Sequence, residues 1–239
     1  MRKLIIFILL LVSNYSHSQN KVELLNKGNE RYNSEEFEQA ETLYKEALDK
    51  DNQYYKANLN VGHSLFRQAH ILIKQQDSLG IKKLEEAEKF YNNSVELAEN
   101  KNQKAESYYN LGNAQLLSQK LEESIESYKK SLRLNPDNIN AKKNLALAQY
   151  LLKKQEEEQE KNQDKKEEKE EESEKKENPN PENKEEKSDQ PQEKQEKKDE
   201  LSKEEIEQIL NALEREEQEV QEDLQNKKKV IGTKLLKDW

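Results

Sequence analysis

Between Val22 and Leu152 apolar and small residues recur at helical spacing, and the same arrangement returns at a fixed interval. The cleanest stretch runs from Ala105 to Asn138. Its apolar and small positions are Tyr108, Leu111, Gly112, Ser124, Tyr128, Ser131 and Leu132, and Asn135-Pro136-Asp137 stops the second helix. An earlier stretch, Val22 to Asn52, carries Gly28, Tyr32, Phe37, Ala40, Tyr44, Ala47 and Leu48 in the same phase. The step from Gly28 to Gly62 equals the step from Leu111 and Gly112 to Leu145 and Ala146. An ordinary amphipathic bundle has no reason to keep such a register. The pattern predicts an all-α chain of stacked helical hairpins, with Gly28, Gly62, Gly112 and Ala146 where the two helices of a hairpin cross.

These spacings resemble the tetratricopeptide repeat, the helix–turn–helix unit of about 34 residues written W-x2-L-G-x2-Y…A-x3-F…P. The resemblance implies a solenoid of about three repeats plus a capping helix at Ile139–Leu152, with a concave face that binds other proteins. The second copy is irregular. The step from Gly62 to Ala87 is about twice the step from Gly28 to Ala40, and thirteen extra residues are expected between its two helices, around Ile71 to Leu79.

The rest of the chain follows other rules. Met1-Arg2-Lys3, the apolar run Leu4–Val12 and the small-x-small Ser16-His17-Ser18 describe a secretory signal over residues 1–18, too short to span a bilayer. Cleavage after Ser18 is expected, with an uncleaved membrane anchor as the competing reading. Residues 19–152 then form the repeat domain. Residues 153–200 hold no aliphatic or aromatic side chain and carry 13 lysines against 20 acids, so this low-complexity spacer has nothing to bury. Its first half is rich in Glu, Lys and Gln and predicts a solvated helix to about Glu177. Asn178-Pro179-Asn180-Pro181 ends that helix, and flexible coil is expected to Glu200. Within residues 201–239 Ser202 and Glu205 form a capping box. Ile206, Ile209, Leu210, Leu213, Val220 and Leu224 then line one face of an amphipathic helix to about Lys229. Such a helix is marginal alone, so its stripe implies a partner. Trp239, the single tryptophan, adds a candidate anchor at the end of the chain.

Composition narrows the function. The formal charge of −9 becomes −11 once Arg2 and Lys3 leave with the signal, and there is no basic stripe, which excludes nucleic acid as a ligand. With no cysteine there is neither disulfide nor thiol chemistry, and lipoprotein processing is excluded. His63 and His70 lie two turns, roughly 10 Å, apart on one helix, too far to share a metal ion. No phosphate loop, nucleophile–base pair or metal-spaced cluster is legible, so neither cofactor, metal nor small-molecule substrate is expected, and the chain does not read as an enzyme.

Candidate binding residues on the inner face of the repeats are Asn29, Tyr32, Asn60, His63, Arg67, Tyr109, Asn113 and Leu116, a mixture suited to an extended peptide or an amphipathic helix. In chaperone-binding members of this repeat class, two asparagines and three cations clamp a terminal carboxylate. Here Asn29 and Asn60 are kept, but Leu25, Glu106 and Asn110 stand where the cations belong, so such a tail is not the expected ligand. A second candidate set is the stripe Ile206 to Leu224 with Trp239.

The order of signal, repeats, charged spacer, Leu201-Ser202-Lys203-Glu204-Glu205-Ile206, Leu210-Asn211-Ala212-Leu213-Glu214 and terminal Lys237-Asp238-Trp239 resembles the BatC family of the Bacteroides aerotolerance operon. That resemblance implies a periplasmic scaffold in a membrane complex with von Willebrand A-domain proteins, linked to oxidative stress. An alternative is a structural tether whose own terminal helix occupies its groove.

Overall fold

The computed structural model describes residues 20–174, 201–215 and 218. Residues 1–18, read above as a signal, the proline-bearing part of the spacer, and Val220, Leu224 and Trp239 lie outside the described residues. What is described is all-helical: α1 (20–33), α2 (Phe37–Lys50), α3 (Tyr55–Lys74), α4 (Leu79–Leu97), α5 (Lys101–Leu117), α6 (Leu121–Leu134), α7 (Ile139–Glu174) and α8 (203–215). Each helix from α2 to α6 packs on its successor, while α3 also meets α5, and α5 meets α7. The first helices of the hairpins therefore form one layer, the inner face of a solenoid, and α7 closes it.

Every hairpin is closed by a tyrosine lying on a glycine. A Cβ added to Gly62 would stand 2.6 Å from the Tyr91 ring, and one on Gly112 would stand 2.7 Å from the Tyr128 ring. Gly28 meets Tyr44 in the same way. All three rings are buried, so they could not swing aside to admit a methyl group.

The turns between paired helices pass through one residue of left-handed backbone: Glu35 (φ 60°), Gln76 (φ 59°) and Gln119 (φ 62°). The next amide then reaches back into the helix it has left, Glu36 to the Arg31 carbonyl, Asp77 to Leu72 and Lys120 to Gln115, each at 2.9 Å. These landmarks measure the repeats. Glu35 and Gln119 follow their glycines at the same short interval, whereas Gln76 follows Gly62 at twice that interval. Ala40 and Ser124 likewise follow their turn residues closely, whereas Ala87 follows Gln76 at more than twice their distance.

Of the thirteen extra residues, seven thus lengthen α3 and six lengthen α4. They do not form a connecting segment between the helices, as the spacing alone suggested. Seven residues make almost two whole turns, which keeps the inner and outer faces of α3 in phase. They also carry the tip of the second hairpin roughly 10 Å beyond its neighbours.

Helix α7 starts as the expected cap, with the Asn138 side chain accepting from the Ala141 amide at 2.9 Å and Ala141, Asn144, Ala148 and Leu151 buried. It then runs on without a break to Glu174. The predicted helical extension beyond Leu152 is present as far as the described residues reach.

Candidate functional site

The inner face is built around a row of polar joints one position after each glycine. Asn29 Oδ1 accepts from the Tyr44 hydroxyl at 2.8 Å and from Asn60 Nδ2 at 2.9 Å, tying the first hairpin to the second. Asn113 Oδ1 accepts from the Tyr128 hydroxyl at 2.8 Å and from Asn144 Nδ2 at 3.1 Å, tying the third hairpin to the cap. In the second hairpin the corresponding residue is His63, whose Nδ1 lies 3.1 Å from the Tyr91 hydroxyl. Burial raises the Tyr91 phenol well above its ordinary value, so it keeps its proton and donates to Nδ1. Burial also pushes His63 down to about 4, leaving a neutral imidazole. Asn110, the counterpart of Asn60 and Asn144, gives its amide to the Glu106 carbonyl of its own helix at 2.9 Å. The second and third hairpins are joined instead through Tyr55, which donates to the Gln103 carbonyl at 2.9 Å and accepts from Ser107 at 3.3 Å.

Helix α8 returns to this framework. The capping box forms as predicted: the Ser202 amide donates to Glu205 Oε2 at 2.8 Å, and the Glu205 amide donates to Ser202 Oγ at 3.3 Å. Leu201, Ile209, Leu210 and Leu213 are buried in the same apolar cluster as Leu116, Leu117, Ala148 and Leu151, and Ile206 packs at its edge. Each aliphatic side chain buried this way contributes about 1.5–3 kcal/mol in gross terms. Four polar contacts fix the register. The Leu201 amide donates to Gln119 Oε1 at 2.8 Å, and Lys154 Nζ lies 2.8 Å from Glu205 Oε1. His70 Nε2 lies 3.5 Å from the Leu210 carbonyl, and Lys74 Nζ lies 2.6 Å from Glu214 Oε2. Burial on its own would raise Glu205, but the hydrogen bonds from Lys154 and Ser202 hold its carboxyl below the usual range.

These contacts share an origin. His70 and Lys74 stand more than two and more than three helical turns after Gly62, and Lys154 stands more than two after Ala146. A regular first helix has already reached its turn by then. Helix α8 therefore lies across the α5–α6 turn, held between the two over-long first helices, α3 and α7. The segment between Glu174 and Leu201 reaches up to about 85 Å, ample for the return along roughly 30 Å of α7.

The residues predicted for the inner face fall into three groups. Asn29, Asn60, His63 and Asn113 form the joints. Tyr32 and Arg67 gather on Phe37, the Tyr32 ring edge-on at 5.1 Å between centroids and the Arg67 guanidinium 4.8 Å above the ring. Burial pushes the Tyr32 phenol up to about 12. Tyr109 stands 6.2 Å from Tyr128, and Leu116 is fully buried in the cluster shared with α8. From the terminal stripe, Ile206, Ile209, Leu210 and Leu213 come together on the repeats. Sequence reasoning missed the polar half of this seat: His70, Lys74, Gln119 and Lys154, paired with Leu210, Glu214, Leu201 and Glu205. The signal was available in the over-long spacing after Gly62 and in the unbroken run of helix formers after Leu152. Among the described residues no group of three or more His, Asp or Glu stands where it could hold a metal ion.

Comparison with known proteins agrees with this architecture. Residues 25–102 and 105–138 each match a family described as tetratricopeptide repeat. Among solved structures, the first such domain of Spaghetti (RPAP3) bound to an HSP90 peptide is 27% identical, covering 56% of this chain and 94% of that one with a TM-score of 0.48. The first domain of human RPAP3 is 24% identical with the same coverage and TM-score. The Arabidopsis OM64 domain is 17% identical, covers 56% of this chain and 98% of its own, and has a TM-score of 0.48. No curated protein matches the chain.

Proposed function

We propose that this tetratricopeptide-repeat chain is a non-catalytic protein–protein interaction scaffold of the bacterial cell envelope. It works in an aerotolerance (Bat) membrane complex with von Willebrand A-domain proteins. The observation that supports an interaction role best is the seat of α8: an amphipathic helix held across α3, α5 and α7 by buried Ile209, Leu210 and Leu213. A face that accepts one such helix is a helix-in-groove receptor. The envelope setting rests on the basic-apolar-small start of the chain and the Bat assignment on the resemblance of its layout. Crosslinking in intact cells followed by pull-down, with and without residues 201–239, tests both. Recovery of von Willebrand A-domain proteins from the full chain supports the reading. Their absence, or a protein left in the cytoplasm, overturns it.

A second reading is favoured by the same contacts: α8 is a tethered occupant of its own receptor, and a partner helix must displace it. Tethering gives α8 an effective concentration far above that of a free competitor. A chain stopped at Glu200 separates the two. Partner binding gained on truncation marks α8 as a self-docked guard, whereas binding lost marks residues 201–239 as a second grip.

A further inference from the structure

The cap helix keeps one face open. In each hairpin a tyrosine of the second helix covers the glycine of the first: Tyr44 on Gly28, Tyr91 on Gly62 and Tyr128 on Gly112. Ala146 is next in that register, but α7 runs on to Glu174 instead of turning back, and Ala146 is exposed. Among the described residues, then, α7 is a first helix without its second. Ile139, Lys142, Lys143, Ala146, Tyr150 and Lys153 are all exposed and fall within roughly 100° of arc, opposite the buried side of α7. Ile139 and Tyr150, 65% and 59% exposed, are the most exposed large apolar side chains among the described residues. A cap whose only task is to solvate the end of the stack would carry polar residues at both places.

Charge singles out the same face. The chain has a formal charge of −9, yet between Asp137 and Glu156 it has four lysines and no acid. Lys154 is taken by Glu205 in the α8 seat, and the other three lie on the open stripe. Lys153 also lies 3.7 Å from Glu157, where the stripe ends, and its side chain remains 76% exposed.

We propose that this face of α7 is a second docking surface, which receives an acidic amphipathic helix of another protein. The apolar side of that helix covers Ile139, Ala146 and Tyr150, and its flanking carboxylates meet Lys142, Lys143 and Lys153. The residue crossing Ala146 is small. A Cβ on Gly112 would stand 2.7 Å from the Tyr128 ring, so the Ala146 methyl fills the room that a hairpin tyrosine would need. That excludes a mate of the α2, α4 or α6 kind, from this chain or from a second copy. The surface is separate from the α8 seat, whose ion pair on α7 is made by Lys154, so the two stand or fall independently.

The test uses the full-length protein in the cells that make it, with p-benzoylphenylalanine in place of Tyr150, one exposed aromatic exchanged for another. Irradiation and mass-spectrometric sequencing of the joined peptides then report what lies on the face. The expected adduct is a segment of another protein with apolar residues at helical spacing and an excess of Asp and Glu. Lys142→Glu combined with Lys153→Glu should cut its yield roughly ten-fold or more. Lys50→Glu with Lys56→Glu, an equal change of charge on exposed residues of α2 and α3, should leave the yield within about two-fold. An adduct to a basic segment, to a second copy or to the chain itself overturns the proposal. So does a yield no higher than that from the same probe at exposed Glu46. The joined segment, made as a peptide, should also bind the purified full-length protein and lose roughly ten-fold in affinity to Tyr150→Asp. Equal binding would overturn the proposal as well.

Discussion

The second and third hairpins share one closure, a buried tyrosine on a glycine, and differ in how they meet the next hairpin. In the third, Asn113 collects the Tyr128 hydroxyl and the Asn144 amide, so one oxygen locks two helices and the cap. In the second, His63 collects only Tyr91, and Asn110 is turned to its own helix. The second joint contains an imidazole, and the third has an asparagine in its place. The second hairpin is also the one with extra turns, and those turns carry half the seat of α8. Regularity here serves stacking, and the departures from it sit where something is received.

The largest expected effect tests what the two hairpins share. Tyr91→Ala and Tyr128→Ala each remove a fully buried ring and should each destabilise by about 3–5 kcal/mol in chemical denaturation. A loss under about 1 kcal/mol in either would show that its closure is not held by ring packing.

The next separates them by pH. The folded value of His63, about 4, lies below its ordinary 6.5, so the unfolded chain takes up the proton first as pH falls. Stability associated with His63 is full above pH 6.5 and is lost progressively down to pH 4, by up to about 3 kcal/mol. His70 is lowered by burial in the same direction and adds to the same slope. His63→Asn, which installs the residue used by the other two joints, should flatten its share of the profile. An unchanged slope in that variant would place the titration elsewhere.

Smaller again is the joint itself. Asn113→Ala removes the oxygen that the Tyr128 hydroxyl and the Asn144 amide share in a buried setting and should lose about 1–3 kcal/mol. Tyr91→Phe, which removes a single bond to His63, should lose about 0.5–1.5 kcal/mol. The reverse order would mean that the asparagine joint is not the stronger of the two.

The smallest effect belongs to the rim of the α8 seat. Lys74 and Glu214 are each 43% exposed, so Lys74→Ala should weaken α8 docking by less than about 1 kcal/mol, read as the affinity of a 201–239 peptide for the truncated chain. Raising the salt concentration should mimic it.

Much of this molecule could be read from residue order. The glycines and tyrosines that define each hairpin, the Asn-Pro-Asp stop, the cap from Ile139 and the Ser202–Glu205 box all depend on neighbours within about one repeat, where helical periodicity is a direct signal. The inner-face asparagines were found as well, but not their bonds to Tyr44, Tyr128 and Asn144, because each joins separate helices and no local pattern encodes it. The thirteen extra residues were counted correctly and placed wrongly. A helix of 20 residues and a loop after a shorter helix have the same length in sequence, and only the left-handed turn at Gln76 distinguishes them.

What the chain determined alone was therefore repetition: how many hairpins, where each crosses itself, and that an amphipathic helix follows a stretch unable to bury anything. Where that helix lands was decided only by assembly. Stacking sets α3 and α7 on either side of α5, and their surplus turns then face each other across the lower α5–α6 turn. The gap between two projecting helices belongs to neither of them. It comes into being when three hairpins pack, which is why Lys74 of the second hairpin and Lys154 of the cap hold opposite ends of one helix.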